Sequence, residues 1–178
     1  MINPTFKFGS IFGQGNISRT REIVMSNREP EKLSKIPPSF IVMDLTWQCN
    51  YHCNCCIDGN MVNKDPRNLD VELIEDIFDY SKKYGIRGIM TMGGEVFLYR
   101  EGMQTALEKS IEYKIPIKTV SNGSYLKNYM PLIIESYKIP GSMLRISINS
   151  DKENYRKQTK GNFDLEEILK SIKIITGS

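Results

Sequence analysis

Cysteine is scarce in this sequence and is confined to one short stretch. The chain of 178 residues has four cysteines and one histidine, all within CNYHCNCC, residues 49–56. No second pair of cysteines or histidines lies elsewhere to complete a metal site of the zinc-finger kind. Cys53, Cys55 and Cys56 also pair poorly as disulfides, because a disulfide needs a narrow range of separations. The stretch is therefore a candidate site for metal binding or redox chemistry.

Long apolar runs and runs of one charge are also missing. No stretch approaches the roughly 20 apolar residues that span a bilayer, and residues 1–16 lack the basic and apolar segments of a secretory signal. Lysine and arginine are scattered and the net charge is only +3, so charge gives no argument for nucleic-acid binding. We expect a cytoplasmic protein, and cysteine clusters in that reducing compartment bind metals more often than they form disulfides.

The rest of the chain divides into an extension and an alternating part. Residues 1–38 are polar and interrupted by glycine and proline, so they are predicted to form an N-terminal extension with one short helix near residues 20–26. In residues 39–178, strands are predicted at 39–45, 85–92, 116–120 and 142–150, and helices at 68–85, 101–114, 125–137 and 164–176. This alternation predicts an α/β fold whose parallel strands are joined by right-handed crossovers.

Two details of the predicted helices depend on single residues. Pro131 conflicts with a continuous helix over residues 125–137, because an internal proline removes a hydrogen bond and clashes with the preceding turn. Asp164 and Glu167 are spaced as a variant of the capping box, which predicts the start of the last helix.

Polar and glycine-rich motifs follow each predicted strand at its carboxyl end. They are Cys49 after the first strand, Gly93-Gly94-Glu95 after the second, Ser121-Asn122-Gly123 after the third and residues 147–149 late in the fourth. In parallel sheets these ends meet at one edge, and ligands bind there. The sequence therefore predicts one functional site that all four strands share.

The cysteine spacing admits more than one metal centre. Three thiolates at the spacing C-x3-C-x2-C can hold an iron–sulfur cluster, and three ligands on a four-iron cluster leave one iron open. A structural zinc ion would need His52 or Cys55 as its fourth ligand, and each stands beside another ligand, so the loop would be strained. Inert buried thiols are a third reading. The cluster fits the spacing best.

Four motifs together resemble those of the radical S-adenosylmethionine (radical SAM) enzymes. TWQCNYHCNCC is similar to their cluster loop, and TMGGEVFLY is similar to their GGE motif. VSNGSYL resembles the end of their third strand. LRISINS with NYRKQTKGNF resembles the fourth strand and following loop of a branch that includes peptide-modifying members. The resemblance covers residues 39–178 and implies a partial (β/α) barrel core with about four of the usual six strand–helix units.

The sequence departs from the family pattern at three positions. Cys55 stands where an aromatic residue is usual, Val96 where proline follows GGE, and Asn149 where an aspartate is common. None of these changes removes a cluster ligand.

The resemblance also implies cofactors and roles for residues. It implies a 4Fe-4S cluster held by Cys49, Cys53 and Cys56, whose open iron binds SAM. Reductive cleavage of SAM then gives a 5′-deoxyadenosyl radical that takes hydrogen from a substrate. The implied SAM contacts are Gly93, Gly94, Glu95, Ser121, Asn122, Ser147 and Arg156, with Glu95 at the ammonium and Arg156 at the carboxylate.

Substrate and partners are less well defined by the resemblance. A peptide substrate is favoured, while small molecules and nucleic acid stay open. An electron donor such as a flavodoxin or ferredoxin is expected, and no membrane. The missing strand–helix units imply a truncated chain, or a second copy or subunit that covers the open barrel edge. The alternatives are a non-catalytic cluster- or SAM-binding fragment or subunit, and a zinc-stabilised interaction module.

Overall fold

The computed structural model describes residues 38–64 and 66–177. The predicted helix near residues 20–26, like nearly all of the predicted extension, lies outside these residues. Within the described part of the chain, no helix is long and apolar enough to cross a membrane.

One parallel sheet organises the described residues. Its four strands are β1 (Ile41–Thr46), β2 (Ile89–Gly93), β3 (Ile117–Ser121) and β4 (Met143–Ile146). They lie in the order 1-2-3-4, and each pair of neighbours is parallel. The sheet is open and not closed, which confirms the predicted α/β fold of the partial-barrel type.

Helices connect the strands. They are α1 (Val71–Tyr84), α2 (Arg100–Tyr113), α3 (Met130–Ser136), α4 (Tyr155–Thr159) and α5 (Leu165–Thr176), with short 3-10 turns at Val96–Leu98 and Leu126–Tyr129. α1 shows why the sequence folds locally as it does: Ile74 and Phe78 are four residues apart and both are buried. The helix ends at Gly85, whose φ of 64° suits glycine.

The core lies between the helices and one face of the sheet. Alternate strand residues such as Leu45, Ile89 and Ile117 are buried there against helical residues that include Phe78 and Leu107. On the other face Val42 is 53% exposed, whereas Lys118 is buried. The register places Val42, Met90, Lys118 and Met143 in one row across that face.

The structure corrects several predicted details. Pro131 does not break a helix, because the segment is a 3-10 turn followed by α3 and the proline lies in the first turn of α3. β4 ends at Ile146, earlier than predicted, although the Ser147 N–H still donates to the Ser121 carbonyl at 2.9 Å. Asp164 caps α5 as predicted, and its side chain accepts from the Glu166 N–H at 3.0 Å. α4 was not predicted, since five residues give no periodic pattern.

Candidate functional site

The end of β2 packs backbone to backbone against the end of β1. The Gly94 N–H donates to the Thr46 carbonyl at 2.7 Å, and the Glu95 N–H donates to the Gln48 carbonyl at 2.8 Å. A Cβ at Gly93 would lie 2.3 Å from the Thr46 oxygen, and one at Gly94 would lie 2.1 Å from the Gln48 oxygen. The two glycines are therefore required for the close approach of these strand ends, which places Glu95 beside the start of the cysteine loop.

Glu95 is fully buried and joins the ends of β2 and β3. Its carboxylate accepts from the Phe97 N–H at 3.1 Å, the Ser121 hydroxyl at 2.8 Å and the Asn122 N–H at 2.7 Å. Burial raises the pKa of Glu95 to about 7, although these three donors oppose that shift. The side chain thus changes charge near neutral pH and holds two of the predicted site residues in place.

A ring of polar side chains links the end of β3 to Cys49. The Asn122 amide donates to Asn50 Oδ1 at 2.9 Å, Asn50 donates to Ser124 Oγ at 3.0 Å, and Ser124 Oγ donates back to Asn122 Oδ1 at 2.6 Å. Asn122 Nδ2 also lies 4.0 Å from Cys49 Sγ. The predicted residues Cys49, Glu95, Ser121 and Asn122 therefore form one connected group.

Asn63 is a site residue that the sequence analysis missed. Its side chain pairs with the Cys49 backbone in two bonds: Oδ1 accepts from the Cys49 N–H at 2.8 Å, and Nδ2 donates to the Cys49 carbonyl at 2.9 Å. The Asn63 N–H donates to the Trp47 carbonyl at 2.8 Å. Asn63 has a φ of 64°, a conformation that asparagine tolerates better than most residues, but no sequence signal linked it to Cys49.

The other side of the cysteine loop rests on α4 and α5. The His52 N–H donates to the Thr159 carbonyl at 2.9 Å, and the Asn54 N–H donates to the Gln158 carbonyl at 3.1 Å. Tyr51 is buried in a small cluster with Tyr155 of α4 and Leu165 and Ile168 of α5. Cys49 and Cys53 pack against this cluster. The loop is thus fixed between the sheet and α4.

The other two predicted contacts, Ser147 and Arg156, lie outside the hydrogen-bonded group around Cys49 and Glu95. The Ser147 side chain is half-buried after β4, next to the end of β3. Arg156 lies on α4 with its side chain 67% exposed, and it pairs with Asp164 at 3.8 Å. No hydrogen bond or ion pair joins the Arg156 side chain to the other predicted site residues in the part of the chain that the structure describes.

The four cysteines differ in their surroundings. Cys49 and Cys53 are half-buried, whereas Cys55 and Cys56 are exposed. Burial raises the pKa of Cys49 to about 11, and burial also raises the pKa of Cys53. These thiols therefore stay protonated at neutral pH, and a metal would release their protons on binding.

The residues fit an iron–sulfur cluster in their chemistry. Among the described residues, no three His, Cys, Asp or Glu side chains are close enough to hold one metal ion. Ligands of a four-iron cluster bind different iron atoms, so they need not meet at one point. Cys49, Cys53 and Cys56 are free thiols on one loop, and thiolates are the ligands that hold iron–sulfur clusters.

Comparison with known proteins identifies the family. Residues 44–178 match the sequence model of the Radical SAM superfamily. The probable GTP 3′,8-cyclase of Thermococcus kodakarensis is 27% identical over 136 residues, which are 76% of this chain and 43% of that protein. The chain therefore spans less than half the length of this curated relative.

Solved structures share the fold. SuiB of Streptococcus suis bound to S-adenosylmethionine superimposes with a TM-score of 0.67 at 18% identity, over 90% of this chain and 37% of SuiB. The protein anSMEcpe, bound to AdoMet and a Cp18Cys peptide, has a TM-score of 0.60 at 14% identity, over 78% of this chain and 39% of the anSMEcpe chain. SuiB has also been solved with its precursor peptide SuiA, and that structure gives a TM-score of 0.66 at 18% identity. With its cysteine loop and GGE motif on one edge of an open parallel sheet, this chain belongs to the radical SAM superfamily.

Proposed function

We propose that this chain is the cluster-binding part of a radical SAM enzyme, with a 4Fe-4S cluster on Cys49, Cys53 and Cys56. When bound, the cluster and SAM would supply reductive cleavage of SAM and a 5′-deoxyadenosyl radical that takes hydrogen from the substrate. The observation that carries the proposal is the hydrogen-bonded group of Cys49, Glu95 and Asn122, which the carboxyl ends of three strands bring together.

The residues near Cys49 would orient the ligands. Asn63 fixes the backbone of the first cluster ligand, and the Tyr51 N–H donates to Cys49 Sγ at 3.4 Å. Hydrogen bonds to a ligand sulfur favour its charged form. These contacts are already made by the protein, so they support a prearranged site for the first ligand.

The SAM contacts are assigned to the same edge of the sheet. Gly93, Gly94 and Glu95 would receive the SAM ammonium, which would compensate for the burial of the Glu95 carboxylate and lower its pKa. Ser121, Asn122 and Ser147 would line the ribose and methionine parts. Because Ser121 already bonds to Glu95 and to the Gly123 N–H, we assign it chiefly to holding Glu95. Arg156 would reach the SAM carboxylate, in exchange for its weak pairing with Asp164.

A peptide is the favoured substrate. SuiB and anSMEcpe have both been solved with peptides. The sheet face away from the helices is partly open, and it carries Asp44 and Arg145, both exposed. An extended chain spans about 3.3 Å per residue, so a few peptide residues would cross the strands.

A nucleotide is the second candidate. The curated relative is a probable GTP 3′,8-cyclase, and its identity of 27% is higher than the 18% and 14% of the peptide-bound structures. A substrate screen distinguishes the two candidates, because peptides and nucleotides can be added to the assay separately.

Partners and setting follow from the chemistry. One-electron reduction of the cluster would need a donor such as a flavodoxin or ferredoxin, in the reducing cytoplasm. Residues 39–178 would form the core, and further segments, another subunit or a second copy would cover its open edge.

The test is release of 5′-deoxyadenosine. The complete enzyme, with its full barrel and reconstituted anaerobically, should release it slowly together with methionine when dithionite and SAM are present, even without substrate. Cys49→Ala should abolish the release, while Cys55→Ala should retain it. An intact cluster that binds SAM and yields neither product would overturn the enzyme proposal in favour of a cluster- and SAM-binding subunit.

A further inference from the structure

One side of α1 exposes large apolar side chains in a row. Leu73 is 45% exposed, Tyr80 is 43% exposed and Tyr84 is 44% exposed. Ile77 is half-buried and lies between Leu73 and Tyr80 in the sequence. These four residues, which we call the α1 stripe, follow one another at spacings of four, three and four, so a helix with 3.6 residues per turn keeps them on one side. A contiguous exposed apolar surface of this kind indicates an interaction site.

The opposite side of α1 is already covered by α2. The Lys109 ammonium lies 3.5 Å from the Glu75 carboxylate, and the Tyr113 hydroxyl donates to Asp79. The Lys82 ammonium lies 4.0 Å from the centroid of the Tyr113 ring. The α1 stripe points away from these contacts, because its residues lie on the other side of the helix.

The exposed charges beside the α1 stripe change sign along the helix. Glu72 and Asp76 stand in the first half of α1, and Lys83 stands in its last turn. At about 100° per residue, all three lie on the same flank of the α1 stripe. Within the described part of the chain, neither Asp76 nor Lys83 forms an ion pair. One flank therefore offers an acidic group at one end and a basic group at the other.

This surface is complementary to itself. If a second copy is turned by 180° about an axis through the middle of α1, the two helices run antiparallel. Leu73 then faces Tyr84 of the second copy, and Lys83 faces Asp76 and Glu72 of the second copy. The antiparallel arrangement also opposes the two helix dipoles. A parallel arrangement would instead bring like charges together.

We propose that the α1 stripe is a dimer interface, at which a second copy of this chain packs its own α1 in antiparallel orientation. Tyrosine suits the centre of such a contact, because it adds a large apolar area with few rotatable bonds. The Tyr80 and Tyr84 rings already pack together at a centroid distance of 4.4 Å. The proposal does not involve the cysteine loop, so its failure would leave the proposed function untouched.

The dimer should be weak. From Leu73 to Tyr84 the α1 stripe is about 16 Å long, at 1.5 Å per residue. A contact between two such stripes lies at the small end of specific interfaces. We therefore expect a Kd on the order of 50 µM, which sets the range of concentrations for the measurement.

The experiment is sedimentation equilibrium of the full chain from roughly 5 to 500 µM. A reductant is present throughout, because Cys55 and Cys56 are exposed and could join two chains by a disulfide. The average mass of the wild type should rise from one chain toward two. Leu73→Glu and Tyr80→Glu should each weaken the dimer at least tenfold, because each buries a charge without a partner in the contact.

Leu169→Glu is the matched control. Leu169 is 41% exposed on α5, so the variant places the same charge at a leucine of similar exposure on another helix. It should dimerise like the wild type. If Leu169→Glu abolishes the dimer and Leu73→Glu keeps it, the copies meet at α5 and the proposal is wrong. A wild type that stays monomeric over the whole range would also overturn it, and the α1 stripe would then belong to a different partner.

Reversed charges test the antiparallel orientation. Asp76→Lys and Lys83→Glu are substitutions at exposed positions, and each alone should weaken the dimer roughly fivefold. Mixed in equal amounts, the two variants should form a heterodimer that is tighter than either homodimer, because opposite charges then face each other. The double variant should recover the wild-type Kd. Single variants that dimerise like the wild type, or a mixture without the tighter heterodimer, would contradict the antiparallel contact.

Discussion

The two ends of the cysteine loop are held in different ways. At the first end, the Cys49 backbone is paired twice by Asn63, and its sulfur lies near donors from Tyr51 and Asn122. At the other end, Cys56 is exposed, and its backbone takes part in two turns: its N–H donates to the Cys53 carbonyl at 3.2 Å, and its carbonyl accepts from the Gly59 N–H at 3.3 Å.

The folded protein by itself fixes the position of Cys49, whereas Cys56 would be fixed only when a cluster binds. Three segments that are distant in sequence meet at Cys49, so its position is part of the folded structure. Cys56 depends on contacts within six residues, and exposed turns of this kind have low local stability. We expect changes at the first end to alter folding, and changes at the second end to alter only metal binding.

The largest effect is expected from Gly93→Ala, which disturbs the packing of the β2 end against the β1 end, just before Cys49. The new Cβ would lie 2.3 Å from the Thr46 oxygen, at a backbone φ of 121°. Crowding and backbone strain together should lower the free energy of unfolding by about 4 kcal/mol in urea titrations. Gly85→Ala is the control, because Gly85 also has a positive φ but has no neighbour within 4 Å of a Cβ. Its loss should be about 1 kcal/mol, and equal losses would refute the packing role.

Glu95 should make stability depend on pH. Its pKa is raised by burial from 4.5 to about 7, so its contribution is full below about pH 4.5 and is lost as the pH rises through about 7. The loss amounts to about 3 kcal/mol. Between pH 5 and pH 8, the free energy of unfolding measured in urea should therefore decrease less for Glu95→Gln than for the wild type. The same decrease in both proteins would contradict a buried, proton-binding carboxylate.

Asn63→Ala tests the anchor of the first ligand directly. It leaves the Cys49 N–H and carbonyl without their partner, and we expect a loss of about 2 kcal/mol in unfolding free energy with faster loss of iron in air. Asn63→Gly relieves the positive φ but still lacks the amide, so it should also lose iron quickly. Asn60→Ala, at an exposed position of the same loop, should behave like the wild type. Normal iron retention in both Asn63 variants would show that the anchor is dispensable.

Cys55→Ala should have the smallest effect. Cys55 and Cys56 are neighbours and both are exposed, and the family spacing selects Cys56 as the ligand. We expect Cys55→Ala to keep its iron and its stability, while Cys56→Ala prepared in parallel loses the cluster. The reverse result would mean that the third ligand stands at a C-x3-C-x-C spacing.

Much of the fold was predictable because it depends on periodic patterns. Apolar runs predicted strands at residues 39–45, 85–92 and 116–120, and β1, β2 and β3 overlap them; the predicted order of strands and helices is confirmed. The end of β4 and the existence of α4 were not predictable, because both are set by contacts: β4 is an edge strand, and α4 is held by Tyr155 in a cluster formed with Tyr51.

The site was predictable only where a motif marked it. Glu95, Ser121 and Asn122 were named from strand-end motifs, and the structure places them together. Asn63 and Tyr155 were missed, because their partners lie 14 and 104 residues away, at Cys49 and Tyr51, and one sequence carries no signal for such pairs. Gly93 and Gly94 were expected to contact SAM, and the structure adds that they allow the close approach of the β1 end.

Iron and sulfide analysis of anaerobically reconstituted wild-type protein tests the central claim most directly. If Cys49, Cys53 and Cys56 hold a 4Fe-4S cluster, the protein should contain about four irons and four sulfides, and alanine at any of these three positions should abolish the cluster. Zinc in place of iron, or a full cluster in any of the three variants, would contradict the account.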